Sequence, residues 1–81
     1  MDLFNFFSMF DALSKITIYD VDDTDEGEHE PLFCGYVTDI PFGIVEEYRL
    51  VTQQECRDEK IESVCGVYSN GFVVRVRVRY N

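Results

Sequence analysis

Basic residues are nearly missing from the first 48 positions of this 81-residue chain. Lys15 is the only one there, set against twelve Asp and Glu. The whole chain carries a formal charge of −9. Direct binding to nucleic acid or to an anionic membrane surface is therefore disfavoured, because both are polyanions. Long apolar runs are also missing. LFNFFSMF is far shorter than the ~20 residues that span a bilayer. A signal peptide needs a basic region before the run and a small-residue cleavage site; here Asp2 precedes the run and Asp11 follows it, so it reads as a mature, cytoplasmic N-terminus. The three cysteines have no CxxC spacing. An odd count without a secretory signal argues for free thiols in a reducing compartment. Cys34 and Cys65 are expected as small core residues, and a Cys56–Cys65 disulfide stays open.

Catalytic signatures are absent too. There is no nucleophile elbow, zinc spacing or phosphate-binding glycine loop. His29 is the only histidine. It lies between Glu28 and Glu30, where neighbouring carboxylates favour its protonated form, and it is expected in a solvated loop. No enzyme and no cofactor are expected. An EF-hand loop fails in both frames: starting at Asp20, position 12 is Pro31, and starting at Asp22 it is Phe33.

What is present describes a folded protein. The chain is 46% hydrophobic and 15% aromatic, unlike a disordered acidic tail. Residues 1–81 read as a single domain, too small for a deep active site, since so short a chain buries only about 60% of its unfolded surface.

Residues 2–13 have helical spacing: Leu3, Phe6, Phe7, Phe10 and Leu13 share a face, and Asp2 is placed to cap. Lys15–Asp20 alternates as a half-buried strand, with Ile16 and Ile18 inward. Leu32–Thr38 reads as its antiparallel partner, with a bulge at Gly35. Pro41 opens one or two helical turns over 41–47. Tyr48–Gln54 reads as a strand, and residues 53–60 as a turn or loose edge. Asn70-Gly71 marks a two-residue hairpin turn. That turn pairs Ser69 with Phe72, Val67 with Val74, Cys65 with Val76 and Ile61 with Tyr80, and it sets Glu62 opposite Arg79. Phe72, Val74, Val76 and Val78 face inward. Arg75, Arg77 and Arg79 form an outer ridge about 14 Å long, to be neutralised by Glu62, Glu46 or Glu47. The expected fold is α+β: a small, mainly antiparallel sheet of four or five strands, an N-terminal helix on one face and a C-terminal β-hairpin.

The strongest functional feature is charge segregation. Seven acids crowd into residues 20–30, and the last 33 residues carry six bases against four acids. Asp20, Asp22, Asp23, Asp25, Glu26, Glu28 and Glu30, with Tyr19 and Tyr36 beside them, are the candidate partner-binding residues. Phe42 and Tyr48 are further candidate apolar anchors.

The apolar N-terminal helix, KITIYD, the acidic turn, LFCGYVTDIP and the valine-rich last strand resemble small acidic proteins of bacterial phages and mobile elements. The resemblance covers residues 3–41 and 72–79 and carries no functional residue across. It implies a setting in which short acidic proteins, anti-CRISPR proteins among them, imitate DNA in charge and occupy a nuclease's basic groove.

The expectation is a non-enzymatic binding protein of the bacterial cytoplasm. Its partner is a basic protein surface such as that of a nucleic-acid-binding effector nuclease, with no direct contact to nucleic acid or membrane. The alternative is an assembly protein that forms homodimers through the Phe-rich helix or a C-terminal edge strand. A small-ligand or cation-binding module is a third reading.

Overall fold

A computed structural model of the chain describes residues 2–22, 30–69 and 71–79. The elements run α1 (Leu3–Ser8), β1 (Lys15–Asp20), β2 (Phe33–Tyr36), a 3-10 turn (Val37–Asp39), α2 (Phe42–Glu47), β3 (Tyr48–Leu50), α3 (Gln53–Asp58), β4 (Cys65–Tyr68) and β5 (Gly71–Val78). The class is α+β with a five-stranded sheet.

β5 is the centre of that sheet. β1 lies parallel along one side, with Ile18 beside Val74. The other side is shared end to end. β4 pairs antiparallel with the first half of β5, and β3 pairs antiparallel with its last residues. Arg75 is the switch point: its N–H donates to Val64 O and its carbonyl accepts from Val51 N–H. β2 completes the sheet beyond β1, antiparallel. Three of the four pairings are thus antiparallel, and the exception is β1 with β5. The expected C-terminal edge strand is corrected: β5 has neighbours on both sides, so it has no free ladder to offer a second chain.

Strand alternation decides which side is core. Ile16, Ile18, Val74 and Val76 are almost fully buried on one face, with Leu3 and Phe7 of α1 laid over them. Each such side chain contributes roughly 1.5–3 kcal/mol by leaving water. Asp2 caps α1 by accepting from Asn5 N–H at 2.8 Å, as its position before the apolar run indicated. The helix stops at Ser8, short of residue 13. Beyond it, Ala12 O accepts from Thr38 N–H and Ser14 O accepts from Val37 N–H. These carbonyls serve the 3-10 turn that follows β2 rather than a helical ladder. Phe10 still packs, its ring centroid 4.6 Å from that of Phe72, but Leu13 is exposed.

Other expectations shift. β2 ends at Tyr36, and its register with β1 runs unbroken through Gly35 without a bulge. The glycine instead leaves room for the Phe33 ring, which lies 3.0 Å from where a Cβ would sit. β3 is only three residues long, because Thr52, expected within the strand, caps a helix that occupies Gln53–Asp58, where a turn or loose edge was expected. Cys34 is exposed rather than buried, and Cys65 is only partly buried. All three cysteines are free thiols.

The β4–β5 register differs from expectation by two residues. Cys65 pairs with Val74, Val67 with Phe72 and Tyr68 with Gly71. Because the slip is two, every side chain keeps its face. Asn70 and Tyr80, and with them the Asn70 half of the turn and the Ile61–Tyr80 pair, lie outside the described residues. Gly71 is a strand residue here, with φ +117°, and a Cβ on it would stand 2.5 Å from Lys15 O. The start of β5 passes too close to the start of β1 for any side chain.

Two glycine substitutions therefore have opposite expected signs. Gly71→Ala should cost roughly 1–3 kcal/mol from its backbone conformation alone, with the Lys15 clash added. Gly43→Ala, in α2 with open space around it, should stabilise by up to about 1 kcal/mol. Urea denaturation of the two variants checks both.

Candidate binding surface

The face of the sheet opposite the core is built by the outward residues of β5. Period-two alternation places Val73, Arg75 and Arg77 there, and α3 lies beside its far end. That short helix is firmly defined. Thr52 Oγ accepts from Glu55 N–H at 3.0 Å, and Glu55 Oε1 accepts from Thr52 N–H at 2.9 Å, a reciprocal capping box. Its C-terminus closes with Lys60 in the left-handed region, φ 57°, and Ile61 N–H donating back to Cys56 O, as a Schellman motif requires.

Glu55 does more than cap. Arg49 from β3 grips both its oxygens, at 2.7 and 3.0 Å, and Arg77 also donates to it. Arg77 is the hub. Its Nε and Nη2 hold the two carboxylate oxygens of Asp22 at 3.0 and 2.6 Å. Its Nη1 and Nη2 hold Glu59 at 2.8 and 3.0 Å. With Glu55, all five N–H donors of the guanidinium are used. The Arg77 side chain is only 13% exposed, so these bonds are shielded better than ordinary surface pairs.

The titration behaviour follows. The Arg77 bonds hold the Asp22 carboxyl below its usual range. Glu55 is pulled far lower by Arg49, by the Thr52 N–H and by Arg77. Arg77 is held more firmly protonated by Asp22, Glu59 and Glu55, and Arg49 by Glu55. Nearby, Arg75 donates to Ser63 at 3.1 Å (backbone O) and 3.0 Å (Oγ) and to Glu62 at 3.2 Å, and Tyr68 OH donates to Glu62. Burial pushes the Cys65 thiol up, against the opposing charge of Arg75.

Arg75 and Arg77 of the ridge are thus neutralised from within, by Glu62 as expected and by acids that were not expected. Glu62 meets Arg75 rather than Arg79. Asp22, Glu55 and Glu59 meet Arg77, while Glu46 and Glu47 lie exposed elsewhere. Thr52-x-x-Glu55 was the signal for α3. With it in place, Glu55 and Glu59 fall one helical turn apart on one side.

The candidate binding residues divide accordingly. Asp22 is a structural residue rather than a free docking charge. Asp20 accepts from Asp22 N–H at 2.9 Å, which shapes the base of the loop. Asp23, Asp25, Glu26 and Glu28, with His29, lie outside the described residues. Glu30 is exposed. Tyr19 and Asp20 line an open groove of about 840 Å³ on the outer sheet face, with Glu59, Glu62, Tyr68 and Arg75. Tyr36 is 42% exposed, but it pairs with Lys15. It sits at the end of β1 away from Asp20, about 17 Å along the strand.

Among the described residues, no group of three or more His, Cys, Asp or Glu is placed to hold a metal ion, and no helix is long and apolar enough to cross a membrane. No family model matches the chain, and neither the curated proteins nor the solved structures contain a match to it.

Removing the hub should be read in two ways. Arg77→Met leaves three carboxylates facing one another and should cost about 1–3 kcal/mol near neutral pH. The pH dependence should also change. Asp22 and Glu55 titrate lower when folded than their ordinary 3.8 and 4.5. Their stabilisation is present above those ordinary values and is lost as pH falls through the depressed ones. The acid limb of stability, followed by urea denaturation downward from about pH 5, should therefore be shallower in Arg77→Met than in the parent.

Proposed function

We propose that this is a small acidic, non-enzymatic binding protein that blocks a basic, nucleic-acid-binding protein surface. The loop between β1 and β2 is its docking element. The observation that carries this reading is the internal pairing of the arginines. Arg49, Arg75 and Arg77 are each held by the chain's own carboxylates, so of the loop's acids these three arginines engage Asp22 alone among the described residues. An excess of one sign steers a basic partner in and holds a polyanion away. The Arg77–Asp22 pair gives the loop a fixed root, while Asp23, Asp25, Glu26, Glu28 and Glu30 supply the charge. A phage-type setting in the bacterial cytoplasm, with an effector nuclease as partner in the manner of an anti-CRISPR protein, belongs to the same proposal.

Homo-oligomerisation is the second reading. Phe4, Met9 and Leu13 are 61%, 62% and 75% exposed, which favours a self-contact through the N-terminal segment. The same region carries Asp2 and Asp11 and no base before Lys15, so two copies meeting there would repel.

The test is neutralisation of the loop with its root left intact. Asp23→Asn, Asp25→Asn, Glu26→Gln and Glu28→Gln together should abolish capture of the partner from a bacterial lysate. Thermal stability should be unchanged, because Asp22 and Arg77 are untouched. In the parent protein, capture should weaken as salt is raised. Equal capture by the parent and the neutralised variant would sink the proposal.

A further inference from the structure

Between α1 and α2, on the side of the molecule away from the Arg77 hub, lies a second concavity. It measures about 240 Å³, and its lining includes Phe4, Phe7, Val37, Ile40, Phe42 and Val45. Its floor is core, since Phe7 is 6% exposed, but its two rims are not: Phe4 is 61% and Phe42 65% exposed. Local geometry explains both rims. Leu3 and Phe7 occupy the buried stripe of α1, and Phe4 lies one residue further round the helix, outside that stripe. Phe42 is the first residue of α2 and follows Pro41, which fixes the chain direction into the helix.

The groove is smaller than the ~300 Å³ from which small-ligand pockets begin. It is of a size for a protruding apolar side chain. Its surroundings select the kind of partner. Residues 2–8 and 36–47, which build the groove, contain Asp2, Asp39, Glu46 and Glu47 and no Lys or Arg. All four acids are exposed. Asp39, Glu46 and Glu47 form none of the ion pairs among the described residues, whereas Asp22, Glu55, Glu59 and Glu62 do. Asp39 and Glu46 are the chain neighbours of the lining residues Ile40 and Val45, so exposed acids adjoin the apolar centre, and an apolar centre beside charged residues is the anatomy of a protein interface.

We propose that the α1–α2 groove seats an apolar anchor of a basic amphipathic segment, whose Lys or Arg residues meet the Asp39, Glu46 and Glu47 rim. The segment is a helix laid in a groove, with anchors at i, i+3 or i+4 and i+7. A second copy of this chain does not fit, because its own rim is acidic. The proposal rests on the same partner chemistry as the docking loop, but it uses a separate surface. It supplies the desolvated apolar contact that charge alone does not provide.

The probe is a synthetic helical peptide with Leu at anchor spacing and Lys on both flanks, titrated into the isotope-labelled protein and followed by amide shifts. Shifts are expected at Phe4, Phe7, Ile40, Phe42 and Val45. Phe4→Ser with Phe42→Ser should weaken binding about tenfold or more while leaving the thermal midpoint close to that of the parent, since both rings are exposed. Asp39→Asn, Glu46→Gln and Glu47→Gln together should weaken binding and flatten its salt dependence. The variant neutralised at Asp23, Asp25, Glu26 and Glu28 should bind the peptide as the parent does, which separates this site from the docking loop. Equal binding of a scrambled peptide or of one with Glu in place of Lys would overturn the proposal. So would shifts confined to the 20–30 loop, or sedimentation as a dimer that Phe42→Ser returns to monomer.

Discussion

β5 carries two incompatible chemistries on alternate residues, and most of the molecule is arranged around separating them. Val74 and Val76 have to leave water. Arg75 and Arg77, one residue away in each case, have to keep hydrogen-bonding partners for every donor. A central strand offers both faces at once. α1 covers the apolar side. The polar side recruits Asp22 from the end of β1, Glu55 and Glu59 from α3, and Glu62 with Ser63 from the segment before β4. Each of these acids is held where it is because an arginine on β5 is there to receive it.

This arrangement gives the charge distribution its meaning. A chain with sixteen acids and seven bases could scatter them and present a weakly negative surface everywhere. Here the arginines of the outer sheet face are folded into the protein's own network. The remaining acids concentrate in the β1–β2 loop and around the α1–α2 groove. In the proposed reading, long-range attraction for a basic partner comes from the acids of residues 20–30, and short-range grip from Phe4 and Phe42. Association rate and complex lifetime would reside in different residues.

Several features could be read from residue order. Ile16 and Ile18 inward, Val74 and Val76 inward, Asp2 as a cap and the β1–β2 hairpin all follow from local periodicity and local hydrogen bonding. The Phe-rich run was legible as a helix but not in its length, because its end is set by Ala12 and Ser14 bonding to residues 37 and 38, which are remote in sequence. Thr52-x-x-Glu55 is a legible capping box, but the apolar pattern of Tyr48–Val51 reads as strand and masks the cap that ends it. Gly71 reads from its neighbours as a turn residue. Its requirement comes from Lys15 O, more than fifty residues away, and no local rule contains that contact.

The candidate site divides the same way. By itself the sequence determined the acidity, the crowding of acids between β1 and β2, the alternation of β5 and the inward face of the sheet, because these depend on neighbours within a few residues. Only the tertiary structure decided that β5 is central and parallel to β1, that Asp22 belongs to Arg77, and that Phe4 and Phe42 flank one groove. Each of these joins segments far apart in the chain. Strand order and guanidinium partners depend on which surfaces meet, and a linear pattern of charge and hydropathy is compatible with several such meetings. The network was selected by packing, once Val74 and Val76 had turned Arg75 and Arg77 to the other side.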